Sequence, residues 1–112
     1  MTYRVLMQPK AEQDIYTSAH WIMERSKSAD TAIRWARRIR AKIDTLKTNP
    51  LRCPVDEDSD AFGDEVRILL FGKRTSQYLI YFSVDDDTIR VLTVRHSAQR
   101  SITKELTDEG DE

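Results

Sequence analysis

The chain has 112 residues, 39% of them apolar and 33% charged, a size that supports one compact domain burying somewhat over half of its unfolded surface. No run of about 18 apolar residues occurs, and the opening MTYRVLMQPK lacks the apolar core and small-residue cleavage site of a signal peptide, so the chain is expected to be cytoplasmic and clear of membranes. The formal net charge of -1 conceals an uneven spread: residues 1–54 hold eleven bases and five acids, 55–64 five acids and no base, 65–100 six bases and four acids, and 101–112 one base and five acids.

In chain order, TYRVLMQP begins as a short apolar run, with Val5 and Met7 on one face and Leu6 between them. It ends at Pro9, which suits the first turn of a helix, so a strand running directly into a helix is predicted. From Lys10 to Arg25, Ala11, Ile15, Ala19 and Ile22 recur at helical spacing, and Glu12 lies in the first turn, where the helix dipole favours an acid. RSKS then breaks the pattern. From Ala29 to Thr48 a second stripe runs through Ala32, Ala36, Ile39, Ile43 and Leu46, widened by Ile33 and Trp35, and TNP stops it at Pro50. Two helices with a short polar link make a helical hairpin. Its basic segment RWARRIRAK, residues 34–42, reads as the solvated face of an amphipathic helix in preference to a nucleic-acid footprint.

The second half changes period. EVRILLF (65–71), QYLIYFSV (77–84) and TIRVLTVR (88–95) are rich in β-branched and aromatic residues and are joined by short polar connections, which predicts an antiparallel three-stranded meander. In the middle strand Tyr78, Ile80, Phe82 and Val84 share one face and Leu79 and Tyr81 the other, so both faces are apolar and the strand is expected to be central. The fold class is therefore α+β, with a strand, a helical hairpin and a meander, the helices packed on one face of the sheet. Residues 1–100 form the expected domain, and 101–112 an acidic tail with too little apolar content to hold itself down.

Polar and reactive residues give few firm motifs. The lone Cys53 has no partner for an internal disulfide and reads as a small packed side chain. DEDSDAFGDEVR places acids at Asp56, Asp58 and Asp60 like the start of a calcium loop, but the required glycine is displaced to Gly63 and Arg67 stands where a bidentate glutamate belongs. It reads as an acidic loop, and neither metal nor cofactor is expected. Trp21 and Trp35 either seal the hairpin or leave one ring exposed for a partner. His20 reads as a surface residue. In VRHSAQR, alternation puts Arg95 with Val91 and Thr93 and His96 with Leu92 and Val94, on opposite faces.

The segments YRVLMQPKAEQDIYTSAHWI, TAIRWARRIRAKIDTLKTNP and EVRILLFGKRTSQYLIYFSVDDDTIRVLTVRHSAQR together resemble the RelE/ParE superfamily of toxins from type II toxin-antitoxin systems, also called plasmid stabilisation proteins. The likeness covers roughly residues 3–100. Its most specific part is Arg67 early in the second strand, the YLIYFSV strand, an acidic turn followed by D.I.VL.V, and then His96, Ala98 and Arg100. The resemblance implies a toxin neutralised by a cognate antitoxin, with two competing activities: RelE-like members cleave mRNA on the ribosome, and ParE-like members inhibit DNA gyrase. A RelE-like nuclease needs proton-transfer groups and cations gathered on one sheet face. At the corresponding places Arg67 matches in charge, whereas Leu69, Leu79 and the run from Ser97 to Gln99 do not.

A ParE-like gyrase inhibitor that is not itself catalytic is therefore preferred. A ribosome-dependent endoribonuclease, with Arg67, His96 and Arg100 as its candidates, and a non-toxic relic that keeps antitoxin binding are the alternatives. The residues assigned to antitoxin or target contact are Trp21, Trp35, Arg67, Arg95, His96 and Arg100. A sheet apolar on both faces with one hairpin to cover it leaves a groove for a partner helix or strand, with homodimerisation as the substitute when the antitoxin is absent.

Overall fold

The computed structural model describes residues 2–57, 59 and 65–97. Strand β1 (Arg4–Met7) is followed by helices α1 (Pro9–Ser26) and α2 (Ala29–Asp44), two 3-10 turns (Thr45–Lys47 and Pro50–Arg52), and strands β2 (Val66–Lys73), β3 (Ser76–Asp85) and β4 (Thr88–His96). The sheet order is β1-β4-β3-β2, with β1 parallel to β4 and the other pairs antiparallel. Parallel neighbours need a long crossover, and the helical hairpin belongs to it. The predicted α+β architecture is present, and β3 is internal as expected. β4 is internal too, because β1 pairs along its far side.

The helix boundaries follow from local chemistry. Pro9 opens α1, and Lys27 closes it in the left-handed region at φ 58°. Ser28 caps α2, its Oγ accepting the Thr31 N–H at 3.1 Å. Most of the expected stripe is buried, Ala11 and Ile15 on α1, Ala32, Ile39 and Ile43 on α2, and Leu46 beyond it, while Ala19, Ile22 and Ala36 are half-buried. Ile33 is 49% exposed, however, and does not widen the stripe. Regular helix ends at Asp44 instead of Thr48, where Thr45 Oγ1 donates to the Lys42 carbonyl at 2.6 Å and the chain tightens into a 3-10 turn. Pro50 disfavours a helical Asn49, which sits at φ 52°.

The helix-covered face of the sheet carries Leu69, Tyr78, Ile80, Phe82, Ile89, Val91 and Val94, packed against the hairpin. Val66, Ile68, Leu79 and Tyr81 form a second buried cluster, with Leu92 against it. A register shift between Tyr81 and Phe82 places Phe82 opposite Val91 and Tyr81 opposite Thr93, so Leu92 is the extra residue of a bulge. This corrects the simple alternation read along VLTVRH. Val91 and Val94 share the helix-covered face across the bulge, and His96 joins them.

Two further devices fix the ends of strands. β1 stops at Met7 opposite Val91, which would leave the next β4 amides on that side bare. Asp14 of α1 takes their place: its carboxylate accepts the Val94 N–H at 2.9 Å and the Thr93 hydroxyl, while Lys10 pairs with the same side chain. At the β2–β3 hairpin Gly72 has φ 104°, and a Cβ there would lie 2.7 Å from the Ser76 carbonyl oxygen. Only glycine fits that close approach.

Candidate functional site

Arg67 is the most strongly held of the candidates. It pairs in register with Phe82, so its side chain emerges on the helix-covered face, at the edge strand. The guanidinium donates to the Cys53 carbonyl at 2.6 Å, to the Leu51 carbonyl at 3.3 Å and to Glu65 Oε1 at 2.8 Å. Around it the 54–56 segment runs as an added strand along β2: Ile68 N–H donates to Pro54 O at 3.0 Å and Asp56 N–H to Val66 O at 2.7 Å. Ser59 Oγ both accepts from Val66 N–H and donates to Val66 O. The start of the expected loose acidic loop is thus stitched to the sheet, with Asp56 buried. Asp58, Asp60 and Gly63 lie outside the described residues, and no metal-holding cluster occurs among those described.

His96 occupies the other end of the same face. It pairs in register with Tyr78, its ring meets the Tyr78 ring edge-on at 5.0 Å, and Tyr78 lies 4.9 Å from Trp35 of α2. Its Nε2 is 3.2 Å from Ser76 Oγ. Burial pushes the Tyr78 hydroxyl above its ordinary pKa, which keeps the phenol protonated at neutral pH. Four residues of β3 separate Tyr78, beside His96, from Phe82, beside Arg67, a distance of about 13 Å. The structure therefore does not bring Arg67 and His96 together.

The remaining candidates scatter. Arg95 pairs with Leu79 on the outer face, opposite to His96, as alternation predicted. The same register removes Leu79 from any comparison with Arg67 and Leu69, because it lies on the other side of the sheet. Trp21 is 52% exposed with the Arg25 guanidinium 5.0 Å above its ring, whereas Trp35 is packed into the core. One tryptophan seals the hairpin and the other is left out. His20 pairs with Glu24 on the surface of α1. Arg100 and residues 101–112 lie outside the described residues.

The sequence reading missed Ser76 and Tyr78 as partners of His96. The signal was there in the meander, where a tight turn before Ser76 sets Tyr78 opposite His96, but it requires the register. A cavity of about 610 Å3 also went unread. It opens between residues 52–57 and β2 and is lined by Arg52, Cys53, Pro54, Val55, Ile68 and Leu70 among others. Val55 and Leu70 of its lining expose about half of their surface. The Cys53 thiol is buried and held above its ordinary pKa by desolvation, against the opposing pull of Arg52, Arg67 and Lys42. It is protonated at neutral pH and a poor nucleophile.

The comparisons with known proteins agree with this fold. No curated protein matches the chain in sequence. A solved structure described as the chromosomal ParDE TA system from P. aeruginosa is similar over 85% of this chain and 96% of its own, with a TM-score of 0.66 and 16% identity, a likeness of fold. The profile of a family described as the ParE toxin of type II toxin-antitoxin system, parDE, matches residues 5–101. The chain belongs to the ParE toxin family, within the RelE/ParE superfamily, and its partner is a cognate antitoxin.

Proposed function

We propose that this toxin acts in the cytoplasm by binding DNA gyrase and is not itself a nuclease. The observation that carries the reading is the fate of Arg67. The cation that a phosphoryl-transfer site on this face would need is spent on the Cys53 and Leu51 carbonyls and Glu65. Beside it stands buried, apolar Leu69, and the imidazole of His96 is about 13 Å along the strand. Proton transfer requires acid, base and phosphate stabiliser within hydrogen-bond reach of one reacting group.

Target contact is assigned to the outward side of α1. Tyr16 is 70% exposed, and Trp21 stands out under Arg25, a combination of aromatic rings and arginine typical of energetic centres in protein interfaces. The antitoxin is assigned to the cavity at the edge of β2, where Val55 and Leu70 offer apolar area to an amphipathic segment. The test is induced expression in bacteria without the antitoxin, scoring plasmid supercoiling and transcript integrity in the same cells. Growth arrest with altered supercoiling and intact mRNA is expected, and it should persist in His96→Ala and be lost in Trp21→Ala. Transcripts cut at codons during translation would establish the nuclease instead, and unimpaired growth would establish a relic.

A further inference from the structure

Cations line one flank of α2. Arg40 marks the flank that faces α1, since it forms a two-pronged pair with Glu12 at 3.1 and 3.0 Å. On the other flank Arg34, Arg38 and Lys42 recur every fourth residue and so lie one above another over about 12 Å. Arg52 extends the line: its guanidinium donates to Thr45 Oγ1 at 3.1 Å and to the Thr48 and Asn49 carbonyls. Among the described residues, only Arg34 of this line has an acidic partner, Asp30, at its head. Among the described residues neither Arg38 nor Lys42 forms an ion pair.

The described residues hold sixteen bases and eleven acids, a net charge of +5. The chain balances that surplus mainly outside them. SITKELTDEGDE, residues 101–112, carries five acids and one base and interleaves Ile102 and Leu106 among them. The last described strand before it, β4, ends at His96 beside α2: the His96 ring meets the Tyr78 ring, and Tyr78 meets Trp35 of α2.

We propose that residues 101–112 dock in cis along the Arg34–Arg38–Lys42–Arg52 flank of α2, as a built-in polyanion that a competing anionic partner must displace. Surface ion pairs are individually weak, but a segment held by so short a tether acts at an effective concentration on the order of millimolar, which turns several weak pairs into a populated contact. Twelve residues extend to about 40 Å, well beyond the length of the line. This regulation is independent of what the toxin targets.

The measurement places a nitroxide at Gly110→Cys in the full chain, in a Cys53→Ala background, and reads the broadening of backbone amide resonances. Amides of residues 34–42 and 52 lose most of their intensity at low salt and recover it above about 0.5 M salt, where the screening length falls to a few ångströms. The same label in Arg38→Ser/Lys42→Ser leaves those amides sharp, and dilution with unlabelled protein does not change the pattern. Broadening absent from α2, unchanged by salt, or dependent on a neighbouring labelled molecule overturns the proposal. Persistence of the contact in the double variant overturns it as well.

Discussion

The two ends of the helix-covered sheet face treat their polar residue in opposite ways. At the Arg67 end a guanidinium with 17% of its side chain exposed is bracketed by two backbone carbonyls and a carboxylate, and it fastens residues 51–53 and Glu65 to β2. At the His96 end an imidazole rests on Tyr78 and Ser76 at the margin of the core. Arg67 has been absorbed into structure by its acceptors, while His96 lays its ring edge-on against Tyr78 beside the Ser76 hydroxyl. A charge in a motif therefore says little about its role until its acceptors are counted.

The largest effect should come from the apolar row that supports the Arg67 end. Phe82, fully buried between Arg67 and Val91, should cost about 3–5 kcal/mol on substitution by alanine, read from urea unfolding. A loss under about 1 kcal/mol would mean that this end is not the anchored one. Next, Arg67→Ala should cost about 1–3 kcal/mol by removing a charged donor from two carbonyls, against less than about 1 kcal/mol for His96→Ala. If the histidine proves the costlier of the two, the contrast between the ends is inverted.

Much of this was legible in the sequence. The helical stripes Ala11/Ile15 and Ala32/Ile39/Ile43 and the alternation of β3 depend on local periodicity, and they read out directly. The bulge at Leu92 did not, because one inserted residue flips every side chain beyond it and leaves no local mark. The same limit hid the pairing of Tyr78 with His96. Arg67 was legible as a cation early in the second strand. Its carbonyl acceptors come from residues about 15 positions earlier, brought near by the 3-10 turn after Pro50 and the short pairing of residues 54–56 with β2.

Arg40 supplies the exposed counterpart that separates the worth of a guanidinium from the worth of its burial. It grips Glu12 with two hydrogen bonds, and that bonding, ahead of its charge alone and against a smaller desolvation cost, holds the Glu12 carboxyl below its ordinary value of 4.5. A depressed carboxylate pKa contributes stability that is fully present above the unfolded value and is lost as pH falls through the folded one, so the loss belongs below pH 4.5. Both side chains are nearly half exposed, and solvent screening should hold the contribution under about 1 kcal/mol, less in salt. Arg40→Ala should therefore lower stability slightly at neutral pH and make the acid limb of the stability profile shallower, while Arg67→Ala lowers stability more at neutral pH. The check is unfolding of both variants from pH 7 to about pH 3. Equal losses at neutral pH would show that burial and carbonyl acceptors add nothing to Arg67, and the distinction between a bracketed and a solvated guanidinium would fail for this fold.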